Sequence, residues 1–163
     1  MKALFVAMLS LVTASGAYAT EGCPELTGAY QNCTIDGIAG NGGASAKFQI
    51  DQHINMQGQT EYLVHSEIQK PNMPLEVQDQ TIAVSGSETK TETDGQGNVM
   101  TATMSIACLN QTLSVALDMT KNGASFMNVV LAYSKGNDNS LKFLTSITAE
   151  AGSHQVMLTC QKQ

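Results

Sequence analysis

The chain has 163 residues, of which 42% are hydrophobic and 13% are charged, and its formal net charge is −6 at pH 7. The eight basic residues are all lysines, and they are outnumbered by 14 acidic residues. Binding to nucleic acid or to anionic membrane surfaces requires a basic surface, so the sequence disfavours both. The length suits one domain rather than two.

The first residues have the pattern of a secretion signal. Lys2 precedes the apolar run ALFVAMLSLV, and AYA at 17–19 is a small-x-small cleavage site. An apolar run of about ten residues is too short to cross a bilayer. We therefore predict a signal peptide over 1–19 and one exported domain over 20–163, located in the periplasm or outside the cell.

Four cysteines in an exported chain predict two disulfides. Zinc binding is disfavoured because the cysteine spacings contain no CxxC pair. Of the three possible pairings we favour Cys23–Cys33, which is local, together with Cys108–Cys160. The second bond would join two late strands across a long loop, where a crosslink removes much of the entropy of the unfolded chain.

Apolar and polar residues alternate along most of the remaining chain, which is typical of half-buried β-strands. No stretch of useful length has a helical period, so we predict an all-β fold. The first strand begins at 28–30, and the other alternating segments are 46–54, 60–68, 98–108, 112–120, 125–133, 140–149 and 154–160.

Short turn motifs separate these segments and make consecutive strands antiparallel neighbours. The motifs are QG at 57–58, DGQGN at 94–98, NG at 122–123, KGNDN at 135–139 and GS at 152–153. We predict an up-and-down meander of eight to nine strands that closes into a barrel, because closure buries the apolar face and removes exposed edges. A two-sheet sandwich is the alternative.

The first hairpin of the meander predicts a polar cluster. Pairing Ile54 with Tyr62 places the side chains of Asp51, His53, His65 and Glu67 together on the outer face. Imidazole and carboxylate groups can bind zinc or copper. The favoured interpretation is an ordinary polar surface, and no metal or other cofactor is expected. No G-x-S-x-G or comparable catalytic pattern is present either, so the chain is not predicted to be an enzyme.

The opening of the mature chain, CPELTGAYQNC at 23–33, resembles lipocalin-type barrels and the start of small exported bacterial barrels. Lipocalins have Gly-x-Trp where this chain has Gly28 and Tyr30. The resemblance implies that the Tyr30 ring closes one end of the barrel and that the glycine lets the strand bend. Lipocalins also stack an arginine on the aromatic ring. This chain has no arginine, and Lys162 is the expected substitute.

Methionines recur in or beside the predicted strands, where their pliable side chains could accept a ligand of imprecise shape or simply fill the core. The residues expected to line a ligand site are Tyr30, Met100, Met104, Leu117, Met119, Met127, Leu131, Tyr133 and Phe143. We predict a monomeric, non-catalytic protein that binds a small apolar or lipid-like molecule inside the barrel. The alternative is an envelope or extracellular protein that binds a protein partner through its polar outer surface.

Overall fold

The computed structural model describes residues 22–35, 45–84 and 86–163, and none of these residues is helical. The predicted signal peptide over 1–19 lies outside them. The all-β prediction is confirmed, with ten strands rather than eight or nine. The strands are β1 (Gly28–Ile35), β2 (Ser45–Ile54), β3 (Thr60–Gln69), β4 (Glu76–Ala83), β5 (Gly86–Thr93), β6 (Val99–Leu109), β7 (Thr112–Lys121), β8 (Ala124–Lys135), β9 (Leu141–Ala149) and β10 (Gly152–Lys162).

All ten strands form one antiparallel sheet in the order β4-β3-β2-β1-β10-β9-β8-β7-β6-β5. Consecutive strands are antiparallel neighbours as the predicted meander requires, except for β4 and β5, and β1 and β10 pair with each other at the middle of the sheet. The described strands form a single sheet, so the alternative of a two-sheet sandwich is wrong.

The predicted closure into a barrel is wrong, because β4 and β5 are the two edges of the sheet and do not pair. Only residues 84–85 separate them in the chain. The Val84 N–H donates to the Thr60 carbonyl at 2.9 Å, which keeps the chain beside β3 after β4 ends. Gly86 has a φ of 93°, a conformation that favours glycine, and there the chain turns to pair with β6.

The sheet is strongly curled, since side chains from distant strands meet on its inner face. The ring centroids of Phe48 in β2 and Phe143 in β9 are 6.1 Å apart. Along the sheet, three strand spacings of about 4.8 Å each separate these two strands. The core on this inner face includes Leu26, Tyr30, Phe48, Ile50, Tyr62, Val64, Ile82, Ile106, Leu113, Val115, Tyr133 and Leu141.

Both disulfides are present, but the predicted pairing is wrong. The bonds are Cys23–Cys108 and Cys33–Cys160. Cys33 and Cys160 are both buried on the neighbouring strands β1 and β10, so they meet although 127 residues separate them. The segment before β1 instead reaches β6 through Cys108, and the Gln111 N–H in the turn after β6 donates to the Gly22 carbonyl at 3.1 Å. Two disulfides are typical of proteins from an oxidising compartment.

The register of the first hairpin differs from the prediction by two residues. Ile54 pairs with Thr60 rather than with Tyr62, which leaves a loop of residues 55–59. The Asn55 side chain stabilises this loop, because its Oδ1 accepts from the N–H groups of Gln57 and Gln59, each at 3.0 Å. A shift of two residues preserves the face of every side chain, so the predicted inner and outer faces of β2 and β3 are confirmed.

Sequence alternation did not identify β4 and β5. In GSETKTET, the sequence of β5, no residue is apolar apart from glycine, and β4 carries apolar side chains only at Val77, Ile82 and Ala83. An edge strand with few buried positions needs little hydrophobic patterning. The two strands missed from the sequence are therefore the two edges.

Candidate functional site

The segment before β1 covers one end of the core. Pro24 and Leu26 are buried, and their carbonyls accept hydrogen bonds of 2.8 Å from the hydroxyls of Tyr62 and Tyr30 respectively. Burial raises the pKa of both phenols above the usual value of 10, and the charge of Glu25 adds to the effect. Both hydroxyls therefore stay neutral and act as donors that fix the segment in place.

Tyr30, Gly28 and Lys162 form one contact at this end. The Lys162 Nζ donates to the Thr27 carbonyl at 2.7 Å and lies 5.9 Å from the centre of the Tyr30 ring. Gly28 has a φ of 150°, and a Cβ there would lie 2.5 Å from the Lys162 Cε. Lys162 thus occupies the place expected for the cation that stacks on the aromatic ring. The lipocalin resemblance itself stays a prediction.

Three of the aromatic side chains predicted to line a ligand site belong to this packed end. Tyr30 and Tyr133 are buried in the core, where burial also raises the pKa of Tyr133 to about 12. Phe143 packs against Tyr133 with ring centroids 4.7 Å apart and is partly buried. All three side chains lie in or against the core, where Phe143 contacts Tyr133.

The other predicted lining residues lie together further along the inner face of β6–β10. Cross-strand pairs place Ala102 opposite Met119, Met119 opposite Met127, and Met104 opposite Leu117. On the next strands, Val129 lies opposite Ile147. Thr145 on β9 lies between Leu131 on β8 and Val156 on β10, and it is opposite both. We call this surface the methionine face: Met100, Ala102, Met104, Leu117, Met119, Met127, Val129, Leu131, Ile147 and Val156.

The methionine face is apolar and only partly buried. Ala102, Met119 and Val129 are buried, although they do not belong to the main core. Ile147 and Val156 are 39% and 41% exposed, respectively. The remaining residues of the face are partly buried. A contiguous apolar surface that stays partly exposed can mark a binding site.

Charged side chains border this apolar surface along β5. Glu88 lies opposite Met104, Lys90 opposite Ala102 and Glu92 opposite Met100. The Lys90 Nζ is 3.5 Å from the Glu88 carboxylate. An apolar surface with charges along one side could hold a molecule that has an apolar body and a polar end.

The predicted polar cluster lies on the outer face as expected, but its members do not converge on one point. The His65 Nδ1 is 2.7 Å from Asp79 on β4, and its Nε2 is 3.7 Å from Glu67. His53 instead lies 3.7 Å from Glu61, and Asp51 is opposite Leu63. Among the described residues, no three histidine, cysteine or acidic side chains are arranged to hold a metal ion.

The close partner of His65 could not be found from the sequence, because Asp79 is on the unrecognised strand β4. Its hydrogen bond raises the pKa of His65 above the usual value of 6.5, and Glu67 adds to this effect. The imidazole is exposed and serves to join β3 to β4.

Comparison with known proteins gives no family for the chain: no family model, curated protein or solved structure matches it significantly. Within the described parts of the chain, no helix is long and apolar enough to cross a membrane.

Proposed function

We propose that this protein binds a small apolar or lipid-like molecule on the methionine face without catalysing a reaction. The observation that carries the proposal is the contrast in burial along one inner face, which is packed at one end and partly exposed at the other, where Ile147 and Val156 are accessible. The ligand site is then an open surface of the curled sheet rather than a sealed cavity.

The composition of the face supports such a ligand. Four methionines occupy adjacent strands, and their unbranched thioether side chains can adapt to different shapes. The charges of β5 lie along one side, where the polar end of an amphiphile would meet Lys90. The ligand would cover the exposed parts of Ile147 and Val156, which supplies the binding free energy.

We also propose that the protein works outside the cytoplasm. The signal-like segment at 1–19 and the two disulfides agree in supporting export. A carrier in the periplasm or the extracellular space would keep a poorly soluble molecule away from water.

Fluorescence titration with the neutral apolar probe N-phenyl-1-naphthylamine tests the binding proposal. We expect saturable binding at micromolar probe concentration and a rise in melting temperature with probe concentration. Ile147→Lys should weaken binding at least about tenfold, because the ligand would bury an unpaired charge.

Val99→Lys is the matched control, because Val99 is 40% exposed and lies on the outer face. It should leave probe affinity unchanged. A parent protein that binds no probe, or equal losses from both substitutions, would contradict the proposal. Mass spectrometry of protein purified natively from its source would then show whether any molecule accompanies it.

One observation favours the alternative, an interaction protein that uses its outer surface. Threonine pairs line the outer face of β5 and β6, where Thr89–Thr103 and Thr91–Thr101 are hydrogen-bonded at 3.0 and 3.1 Å. A protein that fails the probe test would be studied next through this surface.

A further inference from the structure

The sheet has two free edges, and they differ in chemistry. Both β4 and β5 are eight residues long and pair with only one neighbour among the described strands. The free edge of a strand presents unpaired N–H and C=O groups that can extend the sheet with another strand. Strand β4 carries the acidic residues Glu76 and Asp79 and no basic residue. Strand β5 carries both signs of charge.

The charges of β5 form a self-complementary pattern. Glu88, Lys90 and Glu92 alternate with Thr89 and Thr91, so the three charges share the inner face and the threonines share the outer face. In an antiparallel pair of two identical strands, a two-fold axis passes beside one residue, which then lies opposite itself. The choice of that residue decides which charges meet.

Only one central residue gives attraction without repulsion. With Thr89 at the axis, Glu88 lies opposite Lys90 of the second copy on both sides of the axis, and Glu92 lies opposite Gly86. With Lys90 at the axis, the two lysines oppose each other and the glutamates also meet. With Thr91 at the axis, Lys90 meets Glu92, but Glu88 meets Asp94. Like charges directly opposite each other destabilise a sheet.

The threonines and the exposure of the strand support the same arrangement. Within the sheet, threonines of β5 already form cross-strand hydrogen bonds with threonines of β6. With Thr89 at the axis, its side chain meets the same side chain of the second copy. Residues Ser87 and Thr89–Thr93 are exposed, so no other described part of the chain covers this edge.

Strand β5 of one molecule also pairs better with β5 of a second copy than with β4 of a second copy. Pairing β5 with β4 of another molecule would bring a strand with two acidic residues against a strand with a net negative charge. Such head-to-tail pairing would also propagate without closing, whereas a two-fold pair closes.

We propose that two copies of this chain associate through antiparallel β5–β5 pairing, with Thr89 at the two-fold axis. The two curled sheets then become one continuous sheet. This arrangement differs from the monomer that we predicted from the sequence. Since only one strand edge per copy is buried, we expect a weak dimer that forms as protein concentration rises.

Charge exchange tests the pairing by sedimentation velocity over a range of concentrations. Glu88→Lys and Lys90→Glu should each weaken association at least about tenfold, because each variant places like charges opposite each other twice. The double variant E88K/K90E restores the opposite charges and should dimerise like the parent. Lys121→Glu makes the same charge change as Lys90→Glu but lies away from the edge, so it should not affect association.

Cysteine crosslinking tests the register. Under mild oxidation, Thr89→Cys should form a covalent dimer through the new cysteine. The Cα atoms of residue 89 in the two copies would lie close enough across the axis for a disulfide. Thr91→Cys, on the same face of the same strand, should not crosslink. Peptide mapping checks that the native disulfides are intact, and far-UV circular dichroism checks that each variant is folded.

Each of three results would overturn the proposal. A parent protein that stays monomeric at every concentration would exclude the dimer. A dimer that ignores both single charge changes would use another surface. A crosslink through Thr91→Cys but not Thr89→Cys would mean that the register is different.

Discussion

The two ends of the inner face are built by the same strands but differ in what covers them. At the packed end, Leu113, Tyr133 and Phe143 lie in one cross-strand row. At the open end, Met119, Met127 and Ala149 form the corresponding row. The segment before β1 and both disulfides lie at the packed end. Alternation therefore determines which face is apolar, while the parts that cross the sheet determine how much of that face is buried.

Removing a crosslink of the packed end should be among the largest effects. Replacing Cys33 and Cys160 together by alanine should lower the free energy of unfolding by about 2–5 kcal/mol, because the bond closes a long loop in the unfolded chain. Urea unfolding of the variant measures this loss. A loss below about 1 kcal/mol would mean that the packed end does not depend on this crosslink.

Truncating the aromatic centre of the packed end should have an effect of similar size. Tyr30→Ala should cost about 3–5 kcal/mol, as truncations of buried aromatic residues do. Tyr30→Phe keeps the ring but leaves the Leu26 carbonyl without its donor, so it should cost about 1–3 kcal/mol. Equal unfolding free energies for parent and Tyr30→Ala would show that the ring is not part of the core.

One substitution made at both ends tests the comparison directly. Ile50→Ala, in the packed core, should cost about 2–5 kcal/mol. Ile147→Ala, on the methionine face, should cost less than about 1 kcal/mol because its side chain is already partly in water. Similar losses in thermal unfolding would mean that both ends are equally well packed.

The smallest expected effect is a pH dependence on the outer face. Because the folded-state pKa of His65 is raised, its contribution to stability is complete below about pH 6.5 and is lost as pH rises through the folded-state pKa. Asp79→Asn removes the main cause and should move the His65 pKa back toward 6.5 in an NMR titration. Asp51→Asn is the control and should leave it unchanged. An unaltered His65 titration in Asp79→Asn would exclude the hydrogen bond.

Much of this fold could be predicted from alternation and turns alone, and the parts that could not have a physical reason. Each strand from β6 to β10 has one apolar face that points to the inside of the curled sheet, so its alternation is strong. The edges β4 and β5 bury little and leave no such pattern. The register of β2 and β3 depends on hydrogen bonds of the Asn55 side chain. The pattern of apolar and polar residues cannot distinguish two registers that place every side chain on the same face.

The candidate site was predictable in part for the same reason. The period of two placed the methionines on one face, and the pairing of β6, β7 and β8 brings them together. Alternation could not separate them from Tyr30, Tyr133 and Phe143, because exposure depends on what lies across the face. The disulfide pairing depends on which strands become neighbours, and proximity along the chain is a poor guide to that.

The pairing of the first strand with the last has a consequence for the order of folding. Strand β1 cannot complete its hydrogen bonds until β10 has been synthesised, so we expect the middle of the sheet to close late. During synthesis Cys23 and Cys33 emerge together, long before either of their native partners. A premature bond between them would trap the chain, and its release requires thiol–disulfide exchange. We therefore expect the hairpins on either side to form before β1 and β10 pair.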